Sequence, residues 1–330
     1  MQKSTLKKLS QTLGISISTV SCALKNHPDI SEATKVKVRE LAELMEYEPN
    51  SQAVQLRTQK SNVLGILVPM IDNFFYDSFI SAVEEEASRF GYTVLIMQSR
   101  DDVKVETSIL DIFRRNGVMG LFVALSIGTE NMSPYTKLIS LGIPVIFYDR
   151  VPEETGFLTV CMADEDAARI AAETIIEKNK KKVLALFGHP NLSISKIRQR
   201  SFMETFKRLS PKTPIATNFP ESSAMSTVVA LDALTSDKPP DVIFCMGDLI
   251  LIGVMKAIHE LNLKVPSEVA IVSISNGLIP SMYNPVITYV ETSGSKLGKL
   301  AFSQMLGSLQ NQEIPQSVSV ESMLVRGGSI

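Results

Sequence analysis

Residues 5–26 read TLKKLSQTLGISISTVSCALKN. Leu6, Leu9 and Leu13 recur at helical spacing, Gly14 interrupts the run, Ser16 can cap a new start, and Val20, Ala23 and Leu24 form a second apolar stripe. Two short helices joined by a tight turn make a helix-turn-helix. On its second helix Ile17, Ser18, Ser21 and Cys22 are left facing outward, groups small enough for a helix to lie deep in the roughly 12 Å wide major groove of DNA. The competing reading is a plain helical hairpin whose small residues permit close packing. The rest of the chain favours the first.

Ser31 can cap a third helix in which Val38, Leu41, Ala42 and Met45 fall on one face and would close a three-helix core. Pro49 stops the helical pattern. The next stretch, PNSQAVQLRTQKSN, is polar apart from points such as Ala53 and Leu56. Asn50 can cap a helix there, but the segment falls short of the ~12–15 residues needed for marginal stability in water. It reads as a linker that becomes helical only when held.

From Val63 onward strands and helices alternate. VLGILVP, YTVLIMQ, GLFVAL and IPVIFYD are apolar strand runs separated by amphipathic stretches near 76–90, 105–115 and 135–141. The pattern repeats through KVLALFG, VIFCMG and VAIVSIS, with helices near 166–178, 195–209, 226–234 and 249–261. Continuous Val/Ile/Leu strands between helices imply parallel sheets covered on both faces. The remainder, with ITYVE, a helix near 297–309 and SMLVR, is expected to return to the first half. The fold class is therefore α/β: a helix-turn-helix headpiece (1–48), a hinge or linker (49–60) and a two-lobed, doubly wound body (61–330). The first lobe is expected at about 61–160 and 290–330, the second at about 161–289. Such a body has a cleft at the carboxyl ends of its strands, where small ligands bind.

Composition narrows the classes of function. No apolar run reaches the ~18 residues of a membrane span, and MQKSTLKK lacks the apolar segment of a secretory signal, so a cytoplasmic protein without a membrane partner is expected. Cys22, Cys161 and Cys245 are far apart and read as reduced thiols. His27, His189 and His259 have no metal-ligand spacing, and GxGxxG, P-loop and GxSxG motifs are all missing. Neither catalysis nor a cofactor or metal is expected. Residues 1–60 hold nine Lys/Arg against six Asp/Glu, while the rest of the chain is net acidic, as suits a phosphate-binding head on an acidic body.

From end to end the chain resembles the lactose-repressor (LacI/GalR-type) transcription regulators. ISISTVSCALKNHPDIS, YEPNSQAVQLRTQKSNVLGILVP, IPVIFYDR, RQRSF, GDLILIG and VPSEVAIVSIS carry the resemblance by their order and spacing. It implies a homodimer whose paired heads read a roughly palindromic operator, the second helix lying in the major groove. It also implies that residues 50–57 form a hinge helix that inserts Leu56 into the minor groove, with Ala53 small because the hinge lies close to the groove floor. Thr5, Ser16, Thr19, Ser21 and Arg57 would then meet phosphates. In the body, Asn73, Phe75, Tyr76, Arg198, Asp248 and Asn276 match positions that line the ligand cleft. An Arg fork, Asp and Asn acceptors and an aromatic wall suit a sugar or polyol.

The chain departs from the family at several places. Cys22 stands where relatives carry a long or charged side chain, Lys8 where they carry an acid, Ser273 where Gly is usual, Ser275 where Asp is usual and Gly247 where Asn is frequent. These leave operator sequence and effector identity open. The expected function is a DNA-binding repressor controlled by a small effector, a sugar or related metabolite. The alternatives are the same regulator controlled by a partner protein, or a sugar-binding protein without a DNA function.

Overall fold

The computed structural model describes residues 5–47 and 61–330, in two compact units whose boundary falls between Ser61 and Asn62. In the first unit, α1 (Leu6–Leu13), α2 (Ile17–Leu24) and α3 (Glu32–Leu44) enclose a core of Leu9, Val20, Ala23, Val38 and Ala42. Each helix starts on a hydroxyl cap: Thr5, Ser16 and Ser31 accept from Lys8 N, Thr19 N and Thr34 N. Such caps contribute about 1 kcal/mol apiece, a large share for a domain with so few core side chains. Gly14, at φ +66°, ends α1 in the left-handed region that only glycine enters without steric cost. Asn50, Ala53, Leu56 and Arg57, and with them the expected hinge, lie outside the described residues.

The second unit holds two six-stranded sheets. In chain order the first half runs β1 (Val63–Val68), α4 (Phe74–Arg89), β2 (Thr93–Gln98), α5 (Val103–Arg115), β3 (Gly120–Val123), α6 (Ser133–Ser140), β4 (Val145–Tyr148) and β5 (Leu158–Met162). The second half runs α7 (Asp164–Glu177), β6 (Val183–Leu186), α8 (Ser193–Leu209), β7 (Ile215–Asn218), α9 (Ser223–Leu234), β8 (Val242–Cys245), α10 (Asp248–Glu260), β9 (Ala270–Ser275), the short α11 (Leu278–Ser281) and β10 (Thr288–Glu291). Beyond these come α12 (Gly294–Leu309), β11 (Ser317–Val320) and β12 (Met323–Val325).

The first sheet has the order β11-β5-β4-β3-β1-β2 and the second β12-β10-β9-β8-β6-β7. All pairings are parallel except that of β12 with β10. The central strands β3, β4, β6, β8 and β9 are buried along their whole length, which is why they read as unbroken apolar runs. Apolar clusters fill each lobe: Phe187, Phe202 and Phe244 meet in the second, Phe79, Phe122 and Tyr148 in the first.

The carboxyl-terminal segment does not return wholly to the first lobe. Helix α12 packs on α4 and β11 pairs with β5, but β10 and β12 belong to the second sheet. The chain therefore passes between the lobes three times, after β5, after β10 and after β11. Antiparallel pairing of Tyr289 with Val325 and Glu291 with Met323 gives β12 more partners than it would find beside β11, whose one paired neighbour is β5.

Candidate functional site

Two sites emerge, one on each unit. In the headpiece, α2 packs against both α1 and α3, so only part of its circumference stays open. Ile17 is 47% exposed, Ser18 is exposed and Cys22 is half-buried, as expected of an open face. Ser21 is not on that face: it is 8% exposed, closed in with the helix's inner side, because a two-turn helix wedged between two others buries the flank next to its apolar stripe. At the start of α2, Ser16 Oγ lies 2.7 Å from Ser18 Oγ and 2.8 Å from Thr19 Oγ1. Exposed hydroxyls gathered at a helix amino terminus favour an anionic phosphate. Thr5, capping α1, is likewise exposed.

In the body, loops at the carboxyl ends of both sheets converge on a cavity of about 400 Å³. Asn73, Phe75, Tyr76, Arg198, Asp248 and Asn276, expected there from the sequence, all line it. Their individual positions are more specific than the sequence foretold. Asn73 caps α4, its Oδ1 accepting from Phe75 N at 2.9 Å. Tyr76 is 2% exposed and its hydroxyl donates to Asp149 Oδ2 at 2.7 Å, so it presents a ring edge and orients the carboxylate behind it. Asn276 accepts from Leu278 N through Oδ1 at 3.1 Å, while its own N–H points to Asp248 Oδ2 at 3.4 Å.

Arg198 and Asp248 do not pair with each other. Arg198 donates through Nε and Nη2 to Asp164 Oδ1, at 2.8 and 2.5 Å, and through Nη1 to Met246 O at 2.9 Å. With three of its five N–H groups engaged, the fork is fixed yet still able to donate. Asp248, the first residue of α10, accepts from the Ser275 hydroxyl. Ser275 thus meets the acid of the neighbouring strand loop where relatives place an acid of their own. Burial raises the Asp248 carboxyl above its ordinary value, opposed by its hydrogen bonds and by Arg198.

Sequence reading missed Asp149, Arg150, Asp101 and Asp164. Asp149 sits at φ +57°, an unusual setting for a non-glycine residue, and burial raises its carboxyl too. Arg150 pairs with Asp101 through Nη1 and Oδ1 at 2.5 Å. A signal for the first pair was present: IPVIFYDR places an acid and a base just past a buried parallel strand. Asp164 had none, since nothing separates it from Glu165 and Asp166 in the same first helical turn.

The lobes touch across the cleft. Phe74, on α4 of the first lobe, packs against the apolar cluster of the second, and Lys196 Nζ of α8 lies 2.7 Å from Glu153 Oε1 of the first lobe. Two parallel-sheet lobes closing on a polar, aromatic-walled cavity define a small-molecule-binding body, and the separate capped three-helix unit defines a DNA-binding head.

Comparison with known proteins agrees. Residues 5–50 match the model for bacterial regulatory proteins of the lacI family, and residues 64–313 match a periplasmic binding protein domain. The chain belongs to the lacI family, and it is a DNA-binding transcriptional regulator. It is 24% identical over 314 residues to the transcriptional repressor PurR of Vibrio campbellii, covering 94% of this chain and 93% of that one. It is 25% identical over 311 residues to the ribose operon repressor of Halalkalibacterium halodurans, covering 94% and 92%. Among solved structures, a lac repressor dimer bound to operator and an anti-inducer superposes with a TM-score of 0.89 at 20% identity over 99% of both chains. The body resembles a regulator from Alkaliphilus metalliredigens complexed with D-xylulofuranose, with a TM-score of 0.69 at 19% identity over 82% of this chain and 99% of that one. Among the described residues no helix is long and apolar enough to cross a membrane.

Proposed function

We propose that this protein is a cytoplasmic, homodimeric repressor whose grip on operator DNA is set by a small carbohydrate or related metabolite held between its lobes. The single observation that carries this is the cavity itself. Arg198, Asp248 and Asn276 from one lobe and Asn73, Phe75 and Tyr76 from the other converge on it, so a ligand touching both sides changes how the lobes close. The xylulofuranose complex and the ribose operon repressor support a sugar.

In the head, α2 enters the major groove with Ile17, Ser18 and Cys22 toward the bases, while Thr5, Ser16, Thr19 and Arg57 meet phosphates. Asn50, Ala53 and Leu56 belong to a hinge that folds on the operator. A second copy of the chain is supported by apolar side chains left in solvent on the second lobe: Met225, Val228, Leu278, Met282 and Val286 are between 43% and 65% exposed. The protein acts by binding, with no catalytic step, and needs no cofactor.

The test has two stages. Mapping bound DNA across the genome should yield roughly palindromic sites, and affinity for one of them should fall steeply between ~50 and ~200 mM salt. Titrating that complex with neutral carbohydrates should then shift its affinity, and Arg198→Ala should abolish the shift while leaving DNA binding intact. Salt-independent binding overturns the head assignment; an unchanged response in Arg198→Ala overturns the cleft assignment.

A further inference from the structure

Beside the cavity just described lies a second, of about 420 Å³. The two share Ile127, Arg150 and Leu192 as walls, so they are adjoining chambers of one cleft. Their linings differ in kind. Phe74, Phe75 and Met246 give the inner chamber apolar faces suited to the flat side of a sugar ring. The outer chamber is lined by Ser126, Thr129, Glu130, Asn191 and Ser193, hydrogen-bonding groups with no aromatic ring among them. It suits a unit recognised through hydroxyls alone.

Arg150 stands at the partition. Its Nη1 is held by Asp101, but its Nε, buried, has no hydrogen-bond partner among the described residues. Folded proteins rarely leave a buried donor without an acceptor. A ligand crossing from one chamber into the other passes this nitrogen and can supply the missing oxygen.

Charge narrows the class of ligand. The three Arg and Lys side chains on the two linings are all ion-paired within the chain: Arg198 with Asp164, Arg150 with Asp101, Lys196 with Glu153. Asp149 and Asp248, by contrast, are hydrogen-bonded by Tyr76, Ser275 and a backbone N–H. A phosphate or carboxylate on the ligand would meet acids unmatched by a free cation, whereas hydroxyl groups would meet acceptors.

We propose that the effector is an uncharged carbohydrate of two linked units, one ring in the inner chamber and the second in the outer, with Arg150 Nε donating to an oxygen near the link. This rests on the reading of the cleft as the effector site. The Lys196–Glu153 pair spans the lobes at the outer chamber and must part to admit such a ligand.

The experiment is a calorimetric titration of the full-length dimer with a panel of neutral disaccharides, their component monosaccharides and the corresponding sugar phosphates. A disaccharide should bind at least about tenfold more tightly than either component, with the phosphates weakest. Asn191→Phe, filling the outer chamber, should lower disaccharide affinity about tenfold and leave that of the component monosaccharide unchanged. Ser193→Phe repeats the test from a different wall should the first variant fold poorly. If a monosaccharide or a phosphate is the tightest ligand, or both variants bind the disaccharide as the parent does, the two-chamber inference falls while the cleft assignment stands. If no member of the panel binds at millimolar concentration, both fall.

Discussion

Arg198 directs two nitrogens at one oxygen of Asp164, in a pair whose side chains are 8% and 7% exposed. Asp164 is not in the cavity wall, yet it sets where the Arg198 fork points. Removing one member of a buried ion pair leaves an uncompensated charge, so Asp164→Ala should destabilise the body by about 3–5 kcal/mol. Asp164→Asn should be milder and should still cost effector affinity. Urea denaturation and ligand titration measure the two effects; an asparagine variant with normal ligand affinity would show that Arg198 is oriented by something else.

Asp248 makes stability pH-dependent in a definite direction. Burial, the largest influence, raises its folded-state pKa above the ordinary value of 3.8. The folded protein therefore holds this proton to a higher pH than the unfolded chain does. Its contribution is most favourable below 3.8 and is lost as pH rises through the folded pKa. Asp248→Asn removes that loss. The Tm of the variant relative to the parent should become more positive between pH 3.8 and neutrality. A difference that does not vary with pH would show that the carboxyl is not raised.

Leu56, in the proposed hinge, is expected to wedge the operator into a bend. Leu56→Ala should keep the dimer and its ligand affinity while losing specific DNA affinity by a few kcal/mol, the approximate scale of an unstacking wedge. Gel mobility of circularly permuted operator fragments checks this, since a variant that bends DNA as the parent does has no wedge to lose.

Cys22 cannot make the two-pronged hydrogen bond by which arginine reads guanine. Readout then leans on Ile17 against a thymine methyl and on Ser18, with DNA shape supplying the rest. Cys22→Arg should create a preference for guanine worth about 1–3 kcal/mol at one operator position. Binding-site selection on both proteins decides it: identical base preferences would place residue 22 away from the bases.

The buried strands were legible because nothing interrupts them: VLGILV and AIVSIS are apolar on both faces. The strands that escaped are edge or near-edge ones. IATN and SVSV carry polar residues at exposed positions, and LTVCM is only partly buried, so none has the continuous apolar run that marks a strand covered on both sides. The six cleft residues could be named because each follows a strand or opens a helix. The identity of Arg198's partner could not, because Asp164 lies 34 positions away and becomes its neighbour only when α7 packs on α8. Ser21 was misplaced for a related reason, since one helix read alone does not show what covers its flanks.

Each sheet takes an edge strand from a stretch synthesised after the rest of its lobe. Residues 317–320 complete the first and residues 323–325 the second, and Ser329 then locks to Thr288 N and Ile271 O. While the ribosome is still adding these residues neither lobe can close, although the three helices at the other end already have every residue of their own core. During translation the DNA-binding head is therefore able to fold well before the sensor that governs it. A nascent or prematurely terminated chain would carry a reading head with no means of hearing the effector.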